Sequence, residues 1–420
     1  MINKEEIWDL FKSIFPIYRT LLGKGFNDSL DEISKTIPLT NIYEVESGQS
    51  SGSWKIPDEW IIHNAWIADL DGNKIIDFKE NQFHIWQYSI STDEIISHEE
   101  LIKKIAIGDE DCIPLVVTYY SKRWGFSVSA NQFEKLNKDQ YRVYVESEFR
   151  AGKLQIGEIF LKGRSSKEIL IDAVLSCNSL ANNLSGVLGA VFIAKLISQT
   201  SNHYYSYRIL FSPETIGPIS LFHHFPSLFK NVQGGFNLIN LADKNALNYK
   251  TSRYPTLVDD TVEYTLKQFD KDATIFKYDV LTGTCGNEKA YNSLGIEVPV
   301  GALRRSILCS YPEYDTSKDD FGFIDKSKFF ESLDILTQLI QNIELNRYYK
   351  HTFIGEPFLT GYGLFPKIEK DSDRIPYDYL MGFTNGELSL LDIVKLSNQP
   401  LQSFFEPLRL MVEKELLKEI

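Results

Sequence analysis

Between residues 5 and 22 the apolar side chains Ile7, Phe11, Ile14, Phe15, Tyr18 and Leu22 recur at helical spacing. Gly23 and Gly25 are placed to end that helix, and Ser29 is a candidate cap for a second one over 30–36. From about residue 41 the period changes. Residues 65–70, Asp71-Gly72 and 74–78 predict a β-hairpin, because Asp-Gly supplies the positive φ angles of a tight turn. Residues 83–88, 115–120 and 141–146 read as further strands, and Ser97-His98-Glu99-Glu100 as a capping box opening a short helix. The stretch 48–150, with Trp54, Trp60, Trp66 and Trp86 close together, is predicted to be a mostly β insert with the tryptophans in its core.

A different rhythm begins near residue 153. Apolar strands over 154–161, 169–175, 205–211, 236–241, 274–280 and 303–308 alternate with helices over 184–198, 258–269 and 329–345. That alternation predicts an α/β fold, a mixed and largely parallel sheet with helices on both faces. Sites in such sheets form at the carboxyl ends of strands, here after Leu175, Phe211, Val280 and Leu308. A Gly/Pro-rich connector over 357–366 leads into three short helical stretches near 377–383, 388–396 and 401–416, the pattern of a winged-helix unit. The predicted division is a discontinuous α/β domain (1–47 and 151–350), the β-rich insert (48–150) and a winged-helix-like domain (355–420).

Charge narrows the partners. The net charge of −13 opposes nucleic-acid and anionic-membrane binding, both of which need basic surface. Residues 376–420 carry four basic and seven acidic side chains, so the winged-helix-like segment lacks the footprint of a duplex binder. A protein partner or self-association suits it better. The four cysteines, Cys112, Cys177, Cys285 and Cys309, form no CxxC pair and predict free thiols in a reducing compartment. The polar start and the short apolar run over 187–197 predict neither a signal peptide nor a spanning helix, and the expected location is cytoplasmic. HExxH, P-loop and GxGxxG patterns are absent.

Four stretches carry candidate chemistry: 176–186 (SCNSLANNLSG), 212–217 (SPETIG), 286–291 (GNEKAY) and 311–317 (YPEYDTS). Together they resemble the bacterial aminopeptidase-like family related to the di-zinc exopeptidases, whose members carry a nested β domain and a C-terminal winged helix. Tyr119-Tyr120 and Arg123-Trp124-Gly125-Phe126 match that family's insert, and 389–393 its last domain. The resemblance implies zinc as the family's cofactor, aminopeptidase-type hydrolysis, and a peptide or aminoacyl-type ligand, in a bacterial pathway of polysaccharide or small-molecule biosynthesis.

The same resemblance shows departures. The family histidine of the first stretch is replaced by Cys177 or Asn178, depending on where the gap falls, and its acidic residue is lost or replaced by Asn183. A ligand aspartate becomes Asn287, a ligand histidine becomes Asp315, and the His of the insert's Ser-His-Asn-Gln pattern becomes Ala130, while Glu214 is kept where the family has a general base or metal ligand. Two zinc ions bring four positive charges and Glu214 with Asp315 returns two negative ones, so a full two-metal site is not expected. One weak ion on Glu214, Asp315 and Cys177 is the residual metal reading. Gly186, Pro213, Gly217, Pro299, Gly301 and Pro312 remain, as they would in a kept scaffold. The principal expectation is therefore a hydrolase-like protein impaired in catalysis. The alternatives are an active hydrolase with an altered site and a regulatory adaptor working through its last domain. Arg304, Tyr311 and Tyr314 are expected to line or brace the cleft. The bland readings are a helix-start acid for Glu214, a turn residue for Asp315 and a packed thiol for Cys177. His223 and His224, being adjacent, point apart and are not expected to bind metal.

Overall fold

A computed structural model of the protein describes residues 2–175, 180–281, 286–364 and 371–420. The chain divides into two compact units, Met1–Tyr254 with Asp270–Asp334, and Pro255–Phe269 with Ile335–Ile420. The sequence division at 350–355 falls later: helix Leu257–Phe269 and residues 335–345 go with the second unit.

The first unit is built on an eight-stranded mixed sheet. Its order is Asn41–Glu46, Lys153–Leu161, Ser206–Ser212, Glu168–Val174, Val232–Leu238, Val300–Arg304, Asn248–Lys250 and Thr274–Phe276. The central four strands run parallel, and antiparallel pairings join them to Lys153–Leu161 on one side and Asn248–Lys250 on the other. Glu168–Val174 and Ser206–Ser212 are buried along their whole length, as strands covered on both faces must be. Helix Ala181–Ser198 is apolar all round and lies against this sheet. A Cβ at Gly186 would come within 2.2 Å of the Leu238 carbonyl, so only glycine permits that approach. The helix begins earlier than the apolar run predicted. It is long and apolar enough to cross a membrane by composition, yet 78% of it is buried inside the protein, as in a core helix.

Several local expectations change. The first helix, Lys4–Ile14, stops well short of Gly23 because Pro16 cannot continue it. The second, Lys24–Thr36, starts at Gly23, and Ser29 sits inside it with its hydroxyl on the Gly25 carbonyl. Residues 303–308 are not a strand. The strand is Val300–Arg304, after which the Arg305 side chain turns inward to donate to the Leu241, Asn245 and Lys328 carbonyls.

The insert carries a four-stranded antiparallel sheet, Lys74–Asp77, Glu59–Ala68, Gln140–Arg150 and Thr92–Ser97. The hairpin forms as read, with Asp69 accepting from the backbone of Asp71 and Asn73 and Gly72 at φ +87°. The Ser97–Glu100 capping box also forms. The stretches 83–88 and 115–120 do not become regular strands. The first opens with a 3-10 turn, Gln82–His84. Residues 113–118 spend their backbone groups on neighbouring loops: Leu115 N–H on the Asp315 carbonyl and Thr118 N–H on the Gln87 carbonyl. The insert thereby holds the loop that carries Asp315.

The second unit has a three-stranded antiparallel sheet, Asn385–Ser389, Tyr348–His351 and Leu417–Glu419, with helices Asp371–Phe383, Leu390–Ser397 and Phe405–Glu413. Leu380, Leu390, Ile393, Phe404 and Met411 centre its core, and Ser389 caps its helix through a reciprocal bond with Asp392.

Candidate functional site

Asp172 interrupts the apolar run of its strand, and its side chain is fully buried; the strand's other acid, Glu168, is paired with Arg208. Four groups donate to it. Asn287 Nδ2 lies 2.7 Å and Asn237 Nδ2 2.9 Å from Oδ2, while Ser212 Oγ lies 2.9 Å and Tyr291 OH 3.2 Å from Oδ1. Burial pushes its carboxyl up to about 6 and these four donors pull it back. Asn287 is used at both ends, since Nδ2 also donates to Ser212 Oγ at 2.9 Å and Oδ1 accepts from the Thr215 amide at 2.7 Å. Thr215 stands at φ +61°, a conformation that costs a β-branched residue on the order of 1–3 kcal/mol. The bond to Asn287 helps hold it there, and so fixes Glu214 at the carboxyl end of strand Ser206–Ser212.

A second group of acids lies close by. Glu214 is pushed up to about 7, by burial first and then by the charges of Asp315 and Glu288. Asp315, at φ +52°, is raised by burial to about 6 against a hydrogen bond from Tyr314. Asp319 rises to about 8, through burial opposed by the Asn182 amide and reinforced by Asp315 and Asp243. Asn182 ties two of these together: its backbone N–H donates to Asp319 at 2.7 Å and its Nδ2 to Asp243 at 2.8 Å. The amide locked at the helix start is thus Asn182, while Asn183 is only half-buried on the same turn.

The third cluster is less well satisfied. Glu288 is fully buried and, among the described residues, neither carboxylate oxygen has a hydrogen-bond partner. Its counter-charge, Lys250 Nζ, is 3.6 Å away, also buried, and held below the usual ammonium range by burial. The Asn237 Oδ1 atom is likewise unpartnered. Arg304 is fully buried beside them, its Nε donating to Asn248 Oδ1 at 3.2 Å.

An open cleft of about 840 Å³ lies at the carboxyl ends of strands Val232–Leu238 and Val300–Arg304. Asp243, Tyr311, Glu313, Asp320 and Phe323 line it, with Cys112 from the insert. Tyr311 stacks on Phe323 at 5.3 Å and accepts from Asn240. Three acids and two lysines, Lys244 and Lys318, are among the lining residues; Asp243 is buried and accepts from Asn182, Asn245 and Ser306.

The structure therefore brings Glu214, Asn287 and Asp315 into one buried neighbourhood, places Tyr311 on the cleft wall with Tyr314 edge-on to it at 5.6 Å, and makes Arg304 a brace in the sheet. Cys177 and Asn178 lie outside the described residues. Asp172, Asn182, Glu288 and Asp319 went unread in the sequence; an acid interrupting an apolar run was the signal for Asp172. Zinc needs several anionic or imidazole donors converging at about 2 Å. Among the described residues no three His, Cys, Asp or Glu side chains form such a group. Asn287 offers only a neutral amide oxygen, and that oxygen already accepts from the Thr215 N–H. The described donors do not fit a two-zinc centre.

Comparison with known proteins gives a consistent picture. Residues 8–346 match a family described as a domain of unknown function (DUF4910). A Clostridium acetobutylicum protein, named as a candidate polysaccharide biosynthesis protein with an aminopeptidase-like domain, is 34% identical over 98% of this chain and 96% of its own. A crystal structure of a candidate peptidase from Clostridium acetobutylicum superposes with a TM-score of 0.90 at 32% identity, covering 99% of this chain and 96% of that one. A zinc aminopeptidase from Bacillus subtilis shares the fold at a TM-score of 0.57 and 13% identity, over 81% of this chain and 93% of that one.

Proposed function

The chain belongs to the DUF4910 family, with an aminopeptidase-like fold, and on that premise we propose that it is a catalytically impaired member that holds a peptide or aminoacyl-type ligand in its acid-lined cleft. Asn287 carries this reading. At the position where the resemblance expects a ligand aspartate stands an amide with both hydrogens donated, to Asp172 and Ser212, and its oxygen bound to the Thr215 N–H. An aspartate there would set a carboxyl against the buried Asp172 carboxyl at 2.7 Å, where the two could not both be ionised without a cation between them. The substitution fits a polar network rebuilt to stand without two metal ions.

The cleft, at about 840 Å³, is roomy enough for a dipeptide-sized ligand, whose ammonium would face Glu313 and Asp320. Tyr311 would supply an apolar wall. The name of the Clostridium acetobutylicum relative adds a setting, polysaccharide biosynthesis, which we extend to this protein as part of the proposal.

The test is zinc content after metal reconstitution and desalting, paired with release of amino acids from a panel of dipeptides. Near-zero zinc per chain, with saturable dipeptide binding and no turnover, is the expected result. Zinc-dependent turnover that Glu214→Gln abolishes would replace this reading with the altered mono-metal hydrolase. The proximity of Glu214 to Asp315 favours that second reading.

A further inference from the structure

The insert holds a cavity of its own, about 500 Å³ in volume, that shares no lining residue with the acidic cleft. Its floor and walls are Tyr88, Tyr119, Tyr120 and Phe149 with Ile56 and Ile90. The rings form a graded array. Tyr88 is buried and stacks on Trp60 at 5.8 Å, Tyr119 meets it edge-on at 5.3 Å, and Phe149 stands 6.3 Å from it. Phe149 and Tyr120 remain 42% and 55% exposed. Two of these residues, Tyr88 at φ +68° and Tyr119 at φ +27°, adopt the left-handed backbone region that side chains normally avoid. The Tyr119 backbone follows Thr118, whose N–H and hydroxyl both hold the Gln87 carbonyl, and Tyr120 donates to the Lys55 carbonyl at 2.6 Å. The rings are thus held open toward solvent by backbone anchoring.

Besides the tyrosine hydroxyls, the polar side chains that line it are Lys55, Lys122, Asp58 and Ser121. Two ammoniums face one carboxylate, on a protein whose net charge is −13. A cage of aromatic rings alone would suit a quaternary ammonium. The lysines oppose that choice, since like charges at a binding mouth repel. The floor offers no amide or carboxylate to satisfy the hydroxyls of a sugar. Ring faces and edges at 5–6 Å accept another aromatic ring in stacked or edge-on contact.

We propose that this cavity binds a planar aromatic acid, its ring system among Tyr88, Tyr119, Tyr120 and Phe149 and its carboxylate at Lys55 and Lys122. The site is independent of what the acidic cleft does.

Calorimetric titration of the full chain with three probes of one shape tests it: indole-3-acetate, uncharged 3-methylindole and cationic tryptamine. Saturable binding of indole-3-acetate is expected, with tryptamine weaker by about tenfold or more and 3-methylindole between them. The double variant Lys55→Glu, Lys122→Glu should invert the order of acid and amine. Phe149→Ala should weaken all three. All of these side chains are exposed, and an unchanged unfolding midpoint would confirm that each variant folds. No saturation by indole-3-acetate up to about 10 mM would overturn the proposal. So would tighter binding of tryptamine by the parent chain, or an affinity indifferent to the lysine reversal.

Discussion

Two buried charge clusters stand at the carboxyl ends of the same sheet, and they are finished to different degrees. Around Asp172 four donors meet one carboxylate within 3.2 Å. Around Glu288, among the described residues, two carboxylate oxygens have no hydrogen bond, and the nearest cation is 3.6 Å off. A buried carboxylate with its acceptors filled is a fixed part of the fold, whereas one left unfilled costs the full desolvation of its charge. The Asn287 side of the site is a hydrogen-bonded network that braces Thr215 and Glu214. The Glu288 side holds a buried charged pair without a directed bond.

The largest effect should follow from breaking the closed cluster. Asn287→Asp removes the donors to Asp172 and Ser212 and sets two buried carboxylates against each other. We expect a loss of about 3–5 kcal/mol in urea unfolding, the cost of an uncompensated buried charge. Adding Asp172→Asn to that variant exchanges donor and acceptor, and about 1–3 kcal/mol should return as coupling. If zinc instead restored the stability of the single variant at one ion per chain, the network would have to be read as a metal site awaiting its aspartate.

Much of this was open to sequence reading because its causes are local. The apolar strands Glu168–Val174 and Ser206–Ser212 announce themselves as buried runs, the Asp71-Gly72 turn as a hairpin, and Ser97 and Ser389 as caps. The motif positions of Glu214, Asn287 and Asp315 gave three members of the buried neighbourhood. The partners escaped because nothing in a linear pattern says that Asp172 and Asn287, 115 residues apart, share a hydrogen bond. The first stretch was ambiguous for a related reason: Asn182 and Asn183 are the same residue type, and only helix phase decides that Asn182 faces Asp243. The strands expected over 83–88 and 115–120 failed because their backbone groups pair with loops, a tertiary choice that alternation cannot encode.

The next effect is a slope with pH. Asp172, Glu214, Asp315 and Asp319 are held at about 6, 7, 6 and 8 by burial. Unfolded carboxyls release their protons near pH 4, so between about pH 4 and about pH 8 the folded chain binds more protons than the unfolded one. Their contribution is therefore full below the ordinary carboxylate range and is lost as pH rises through the folded values. Stability should climb by at least about 1.4 kcal/mol when pH falls from about 8 to about 5 in urea titrations. Asp319→Asn should flatten the upper end of that slope. A stability that rises with pH over this window would mean that these acids are paired with cations, and the contrast between the clusters would lose its electrostatic basis.

The smallest effect belongs to the open cluster. Lys250 and Glu288 are separated by more than a hydrogen bond, so replacing them gives up a coulombic attraction and no directed contact. Lys250→Met with Glu288→Gln also removes two desolvated charges, and such exchanges of buried pairs for neutral groups are commonly neutral or stabilising. We expect the double variant to unfold within about 1 kcal/mol of the parent, with each single variant costing more because it strands one charge. The measurement is a four-way urea comparison of the parent, both singles and the double. A double variant as damaged as Asn287→Asp would show that the pair is an architectural element after all. The unfilled oxygens of Glu288 would then have to be understood as strain the fold requires, and the difference between the two clusters would be one of geometry alone.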